Sequence, residues 1–543
     1  MQRAPPAAVI ASAMQYHTVQ GNPSMPMNCE LKKRPFDFIV CGAGTAGSVV
    51  AGRLAENPEV EVLLIEAGGS DDHPHVLEPG NWPLNLGTER DWNFVGAANP
   101  HLNDRKIPLN MGRGLGGGSS VNVMLWARGH KNDWEDFAAH SGDPAWNYAS
   151  VLKIYQRVED YWGICDSVRR GKGGPVHVAP VRNAQPIANA MISAAAGMGV
   201  PVFDNPNGAM MESRGGVALN DLIVKDGRRN SIYRAYVAPR YGQPNLTVLT
   251  DTLVSRMLLK EQRVIGVETI HNGQIECFYA IHEVILSLGA INTPKVLMQS
   301  GVGPEQELQR HGIPVVQHLP GVGANHQDHV SFAVIFEYMT PQPVGYGGSE
   351  ATLYWSSEST LHLPDMFHCQ VEFPVPSAET ALLGVPAHGW TMFAGLAHPE
   401  SRGQVTLSGP DVTDAPIIEP NTLSHPTDRR NALENIRFVQ ELGAQAPFKG
   451  LVKNESLPGK LNTQSLEHYA RNAAVTYWHQ CGTAKMGQDA MSVVDGQLRV
   501  YGIQGLRIAD ASIMPHVTSG NTMAPCVVIG ERAVEAIRAT YNL

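Results

Sequence analysis

The sequence predicts an α/β protein in which a Rossmann-like dinucleotide-binding domain is interleaved with a second, α+β domain built on an antiparallel sheet. Three observations predict it. Residues 36–69, "FDFIVCGAGTAGSVVAGRLAENPEVEVLLIEAGG", read as strand, glycine turn, helix and strand. The stretch 325–475 changes character, with alternating strand-like runs, many prolines and several histidines. Beyond it, "GLRIADASIMP" and a final apolar helix restore the α/β pattern. At 543 residues the chain exceeds one ordinary core, so two domains are the default.

The elements follow in order. An apolar run, Phe36–Cys41, ends in glycine; a helical stretch covers Thr45–Ala55; a second apolar run, Val60–Ile65, ends at Glu66. Gly42, Gly44 and Gly47 form GxGxxG, which allows a tight turn, backbone approach to a pyrophosphate and close helix–strand packing. The helix N-terminus then offers unpaired N–H groups and a positive dipole end to phosphates. Glu66, 19 residues past Gly47, stands where a carboxylate can accept from ribose hydroxyls. A second glycine-rich run, "GRGLGGGSSVNVMLWARG" (112–129), precedes a helical, tryptophan-bearing region. Strands are expected at 245–259 and 263–270, then strand, turn and helix over 283–303. "VSFAVIFEY" and "GQVTLSG" fit an antiparallel sheet forming one wall of a pocket, and the last helix is expected over Pro525–Tyr541.

Composition narrows the function classes. A net charge of −10 argues against nucleic-acid and anionic-membrane binding, and no apolar run is long enough to span a bilayer. Seven scattered cysteines without a CxxC pair read as reduced thiols in a cytoplasmic protein, with neither a disulfide framework nor a metal site. The start, "MQRAPPAAVIASAMQYHT", superficially suggests a signal peptide, but two prolines interrupt it; residues 1–34 are read as a flexible extension.

Five motifs in order then carry a resemblance: "GAGTAGS" with "LIEAG", "GRGLGGGSSVN", "GAINTPKVLMQSGVG", "WHQCGTAKMG" and "GLRIADASIMPHVTSGNTMAP". Together they resemble the glucose–methanol–choline (GMC) family of FAD-dependent oxidoreductases, over nearly everything from Phe36 to Ile537. The resemblance implies an FAD-binding domain over 35–156, 221–324 and 479–543, and a substrate-binding domain over 157–220 and 325–478. It implies FAD with its ADP half on Gly42, Gly44, Thr45, Ala46, Gly47, Glu66 and Ala67, and its adenine near Val254. Arg113, Gly114, Gly118, Asn122 and Val123 would follow the pyrophosphate, ribityl and flavin path. Asp510 and Ala511 would meet the middle of the cofactor, and Asn521 and Thr522 its pyrimidine end. Some members attach FAD through a histidine just after "SS"; here that position is Val121, so non-covalent FAD is expected.

The implied activity is oxidation of an alcohol to an aldehyde or ketone, with hydride transfer to flavin N5 and O2 or another electron acceptor as oxidant. Such a site needs a base and a group that holds the substrate oxygen. The resemblance gives these roles to His479 and Asn521. Trp478 and His398 are expected to contact substrate; His516 is read as loop-structural. Glu358 or Glu372 could meet a cationic, choline-like alcohol, although surface salt bridges suit them better. Cys481 has no cationic neighbour in sequence to activate it, and Gln480 is expected to pack along the flavin. A hydroxynitrile lyase on the same fold is the alternative activity, and the oligomeric state is left open.

Overall fold

The computed structural model describes residues 35–358 and 360–543. The expectation of a flexible 1–34 lies outside the described residues. Two seven-stranded sheets organise the rest. In the first, Leu246–Leu249, Val62–Ile65, Phe36–Cys41, the end of Gln274–Leu286, and Leu506–Ile508 run parallel. The hairpin of Thr252–Lys260 and Arg263–His271 extends it antiparallel along the first half of Gln274–Leu286. The central parallel strands, residues 38–41 and Val62–Ile65, are apolar and fully buried, as helix-covered parallel strands must be. The helix Thr45–Leu54 covers this sheet and packs on the C-terminal helix Met523–Tyr541.

The second sheet holds Val452–Leu457, Val330–Tyr338, Gly389–Leu396, Met366–Val371, Ala351–Trp355 and Gly216–Leu219 in that order, with Ala474–Thr476 also on Val330–Tyr338. All its internal pairings are antiparallel. The helix Pro426–Gly443 packs on this sheet with Ala432, Ile436 and Val439 buried.

Some boundaries differ from the sequence expectation. The run 245–259 is two strands, broken where Asp251 adopts a φ of 52°. That left-handed turn lets the chain leave the parallel stack and enter the hairpin. The last helix starts at Met523 rather than Pro525, and its N-cap is Thr522, with no side-chain cap. Cys41, Cys165, Cys369, Cys481 and Cys526 are free thiols, but Cys277 is disulfide-bonded, which corrects the expectation of reduced thiols throughout. No helix among the described residues is long and apolar enough to cross a membrane, and none of their side chains cluster as a metal site.

Candidate active site

A long cavity runs between the two sheets, and its floor is the first βαβ unit. Gly42 has a φ of 98°, and a Cβ there would lie 2.3 Å from the Ser287 carbonyl oxygen. A Cβ on Gly47 would lie 1.9 Å from the Gly42 carbonyl oxygen, so only glycine lets the helix approach the strand this closely. Gly44, Thr45 and Ala46 line the cavity at the helix start, where Gly44 caps the helix without a side chain. Glu66 closes the end of the second strand. Its Oε2 accepts from Ala43 N–H at 2.9 Å, and its Oε1 from Gly68 and Gly114 N–H at 2.9 and 3.1 Å. Burial pushes its pKa up, against the pull of these N–H groups.

Most of the expected cofactor residues converge here. Ala67, Gly118, Asn122, Val123, Asp510, Ala511, Asn521 and Thr522 all line the same cavity, as does Val121. Asp510 is held by Gly289 N–H, the Thr293 hydroxyl and Ser512 N–H at 2.9, 2.6 and 2.8 Å. Val254 lines an adjoining cavity that shares Ala67, Trp92, Leu288 and Asn292 with the first. Gly47, Arg113 and Gly114 stand behind the wall; the Arg113 guanidinium lies over Trp92 and donates to the Ala67 carbonyl.

A dinucleotide fits this chain's cradle. The surface above Gly44 is open, the first-turn N–H groups of the helix lack a side-chain cap, and the buried Gln480 Oε1 on the cavity wall has no partner. That orphaned acceptor would be satisfied by a bound donor. Gly44, Thr45 and Ala46 would hold phosphates, and the lone-pair capacity left on Glu66 suits a ribose hydroxyl.

At the far end, the segments 327–331 and 474–481 run antiparallel and present His479 to the cavity. Asp328 anchors this reversal, accepting from the Thr476 hydroxyl and from His479 N–H at 2.8 Å. Burial pushes the Asp328 carboxyl up to about 7. Trp478, between them, has a φ of 60°, a left-handed conformation that is strained for a bulky residue. The reversal thus stores strain beside His479.

Hydrogen bonding fixes the His479 tautomer. His329 Nε2 lies 2.9 Å from the Ala397 carbonyl oxygen, which can only accept, so Nε2 carries the proton. Burial, then the neighbouring His479, holds the His329 pKa well below the ordinary value, so its Nδ1 is a lone pair. His479 Nδ1, 2.9 Å from that Nδ1, is therefore the donor. The lone pair of His479 remains on Nε2, where the Asn521 Nδ2 donates to it at 3.2 Å. Burial takes the His479 pKa down to about 3, so the ring is neutral.

Other expected residues fall elsewhere. His398 does not line the cavity; its Nε2 donates to Ser519 Oγ at 2.9 Å, and Ser519 in turn donates twice to Asp133. That chain steadies the loop carrying Asn521. His516 stacks edge-on against His140, away from the cavity. Burial drives the Cys481 thiol pKa well up, which makes it inert. Sequence reasoning missed His329 and Asp328, although two histidines and an aspartate in "NHQDHV" were a signal.

With this geometry in place, the comparisons decide the family. A family model described as GMC oxidoreductase matches residues 36–331, and its C-terminal counterpart matches 399–530. The chain belongs to the GMC oxidoreductase family. A protein named oxygen-dependent choline dehydrogenase from Rhizobium etli is 35% identical to this GMC oxidoreductase over 537 residues, covering 92% of this chain and 95% of its own. The crystal structure of pyridoxine 4-oxidase from Mesorbium loti matches with a TM-score of 0.88 at 31% identity, covering 92% of this chain and 98% of its own. Formate oxidase from Aspergillus oryzae matches at 0.84 and 26% identity, covering 93% and 98%. As a GMC oxidoreductase, the protein is an FAD-dependent alcohol oxidoreductase with the family's mixed α/β fold.

Proposed function

We propose that this GMC oxidoreductase oxidises a small alcohol to its aldehyde or ketone, with His479 as the proton acceptor and Asn521 as the holder of the oxygen. FAD, when bound, supplies the acceptor for the hydride. One observation carries the assignment: the His479 Nε2 lone pair and the Asn521 amide converge within 3.2 Å on the cavity. A hydroxyl set between them would donate to Nε2 and accept from the amide. As the oxygen gains charge, the amide bond to it strengthens, worth about 2–4 kcal/mol if it resembles other oxyanion donors.

A ring as hard to protonate as His479 needs help when it accepts the proton. His329 supplies it, because the Nδ1–H donated to His329 becomes a charge-assisted bond once the imidazole is cationic. Replacing His479 by Ala should leave FAD bound and slow anaerobic flavin reduction by on the order of 10²–10⁴-fold. Full reduction rates in that variant would refute the base assignment.

The domain division at 35–156, 221–324 and 479–543 against 157–220 and 325–478 is supported by the two sheets, whose strands fall cleanly on either side of it. Non-covalent FAD is supported by Val121, an apolar side chain on the cavity wall. Denaturation followed by filtration should release the flavin; colour retained on the precipitate would overturn this.

A further inference from the structure

The chamber around His479 is walled by Trp82, Val371, Val375, Phe393, Tyr477 and Trp478. Trp82 and Trp478 meet edge-on with ring centres 6.4 Å apart, and the Trp82 indole N–H is spent on the Gly347 carbonyl at 2.8 Å. The Tyr477 hydroxyl is paired with the Cys369 thiol. Among the described residues lining the whole cavity, Glu66 and Asp510 are the charged ones, and no lysine or arginine lines it. Both carboxylates belong to the cradle at the other end, where backbone N–H groups already engage them.

Glu350 and Glu372 adjoin the lining residues Ser349 and Val371 in sequence, yet neither lines the cavity. Glu350 accepts from Gln185 N–H, and Glu372 from Gly345 N–H. The two carboxyls are electrostatic neighbours, and the Glu372 Oε1 is buried without a partner. Neither therefore faces a ligand in the chamber. Glu358, the other candidate partner for a cation, likewise does not line the cavity.

We propose that this chamber selects an uncharged alcohol with an aromatic or branched aliphatic body, and discriminates against quaternary-ammonium and carboxylate-bearing alcohols. This rests on the alcohol-oxidising reading above. A cation leaving water for this wall would meet aromatic faces but no carboxylate, and an anion would meet no cationic side chain. The neutral isostere loses nothing on entry and buries the same surface. The Ser349 hydroxyl on the cavity lining is also buried and without a partner, which suits one neutral hydrogen-bonding substituent on that body.

The test compares choline, its carbon isostere 3,3-dimethylbutan-1-ol, and benzyl alcohol as reductants of the flavin in the anaerobic holoenzyme. The second-order rate constants for the two neutral alcohols should exceed that for choline more than tenfold. A ratio of ten or less overturns the inference while leaving alcohol oxidation standing. Failure of all three to reduce the flavin removes the alcohol-oxidising reading, and this inference with it. A carboxylate on the wall should reverse the preference: Val371→Glu, or Ser349→Asp should the first fail to hold FAD, should raise the choline-to-isostere ratio at least tenfold. An unmoved ratio in an FAD-loaded variant would overturn the wall as the selecting element.

Discussion

His329 touches no cavity surface, yet it determines which nitrogen of His479 holds the lone pair. His329→Ala should leave FAD content unchanged and lower kcat on the order of 10²-fold, the scale of a misplaced catalytic group. His329→Asn, which can restore an acceptor, should recover part of the loss; if it does not, the positioning role is wrong. Because burial already keeps the His479 ring neutral, kcat/KM should lack an acid limb near the ordinary imidazole value of about 6.5. A pH profile showing that limb would count against the buried, neutral base. Much at this scale was legible. His479 and Asn521 sit in recognisable motifs, whereas His329 acts across an antiparallel pairing 150 residues away, and nothing in the "NHQDHV" cluster itself ties it to His479. His398 misled for a related reason: its strand ends beside the cavity, but packing turns the ring onto Ser519.

At the scale of elements, the loop 339–349 is held over the chamber by Trp82 on Gly347 and by the Glu350–Glu372 pair. Burial raises both carboxyls, Glu372 from 4.5 to about 7. A raised acid favours its neutral form in the fold, so its stabilisation is present below 4.5 and lost as pH climbs through about 7. The melting temperature should therefore fall between about pH 5 and 8 on account of this pair, and Glu372→Gln should flatten that fall. An identical slope in the variant would remove the pair as its origin. The βαβ unit was read correctly because its glycines answer to local sterics. Gly47→Ala should cost about 1–3 kcal/mol of overpacking and sharply reduce FAD retention, measured by the flavin-to-protein absorbance ratio. The break at Asp251 and the early start of the last helix were not legible, since each is dictated by what the chain must meet next rather than by its own residues.

The whole molecule is stitched from distant pieces. Strands of the first sheet come from residues 36 to 508, and the cavity is lined from Gly42 to Cys526. The sequence could announce two interleaved units because each keeps its own periodicity, but not how they face each other, since that depends on loops such as 339–349. Binding of FAD to the fold alone should raise the melting temperature of stripped protein in a concentration-dependent way. The packing of the last helix against the first carries a further implication for biosynthesis. Helix Met523–Tyr541 both finishes the cavity and covers the opening βαβ unit. While a ribosome still encloses the final segment, the glycine turn has been made for hundreds of residues but has no lid to close on it. Flavin capture must then await the emergence of that helix, and until that moment the apolar face of the first helix is exposed to whatever the cell offers it.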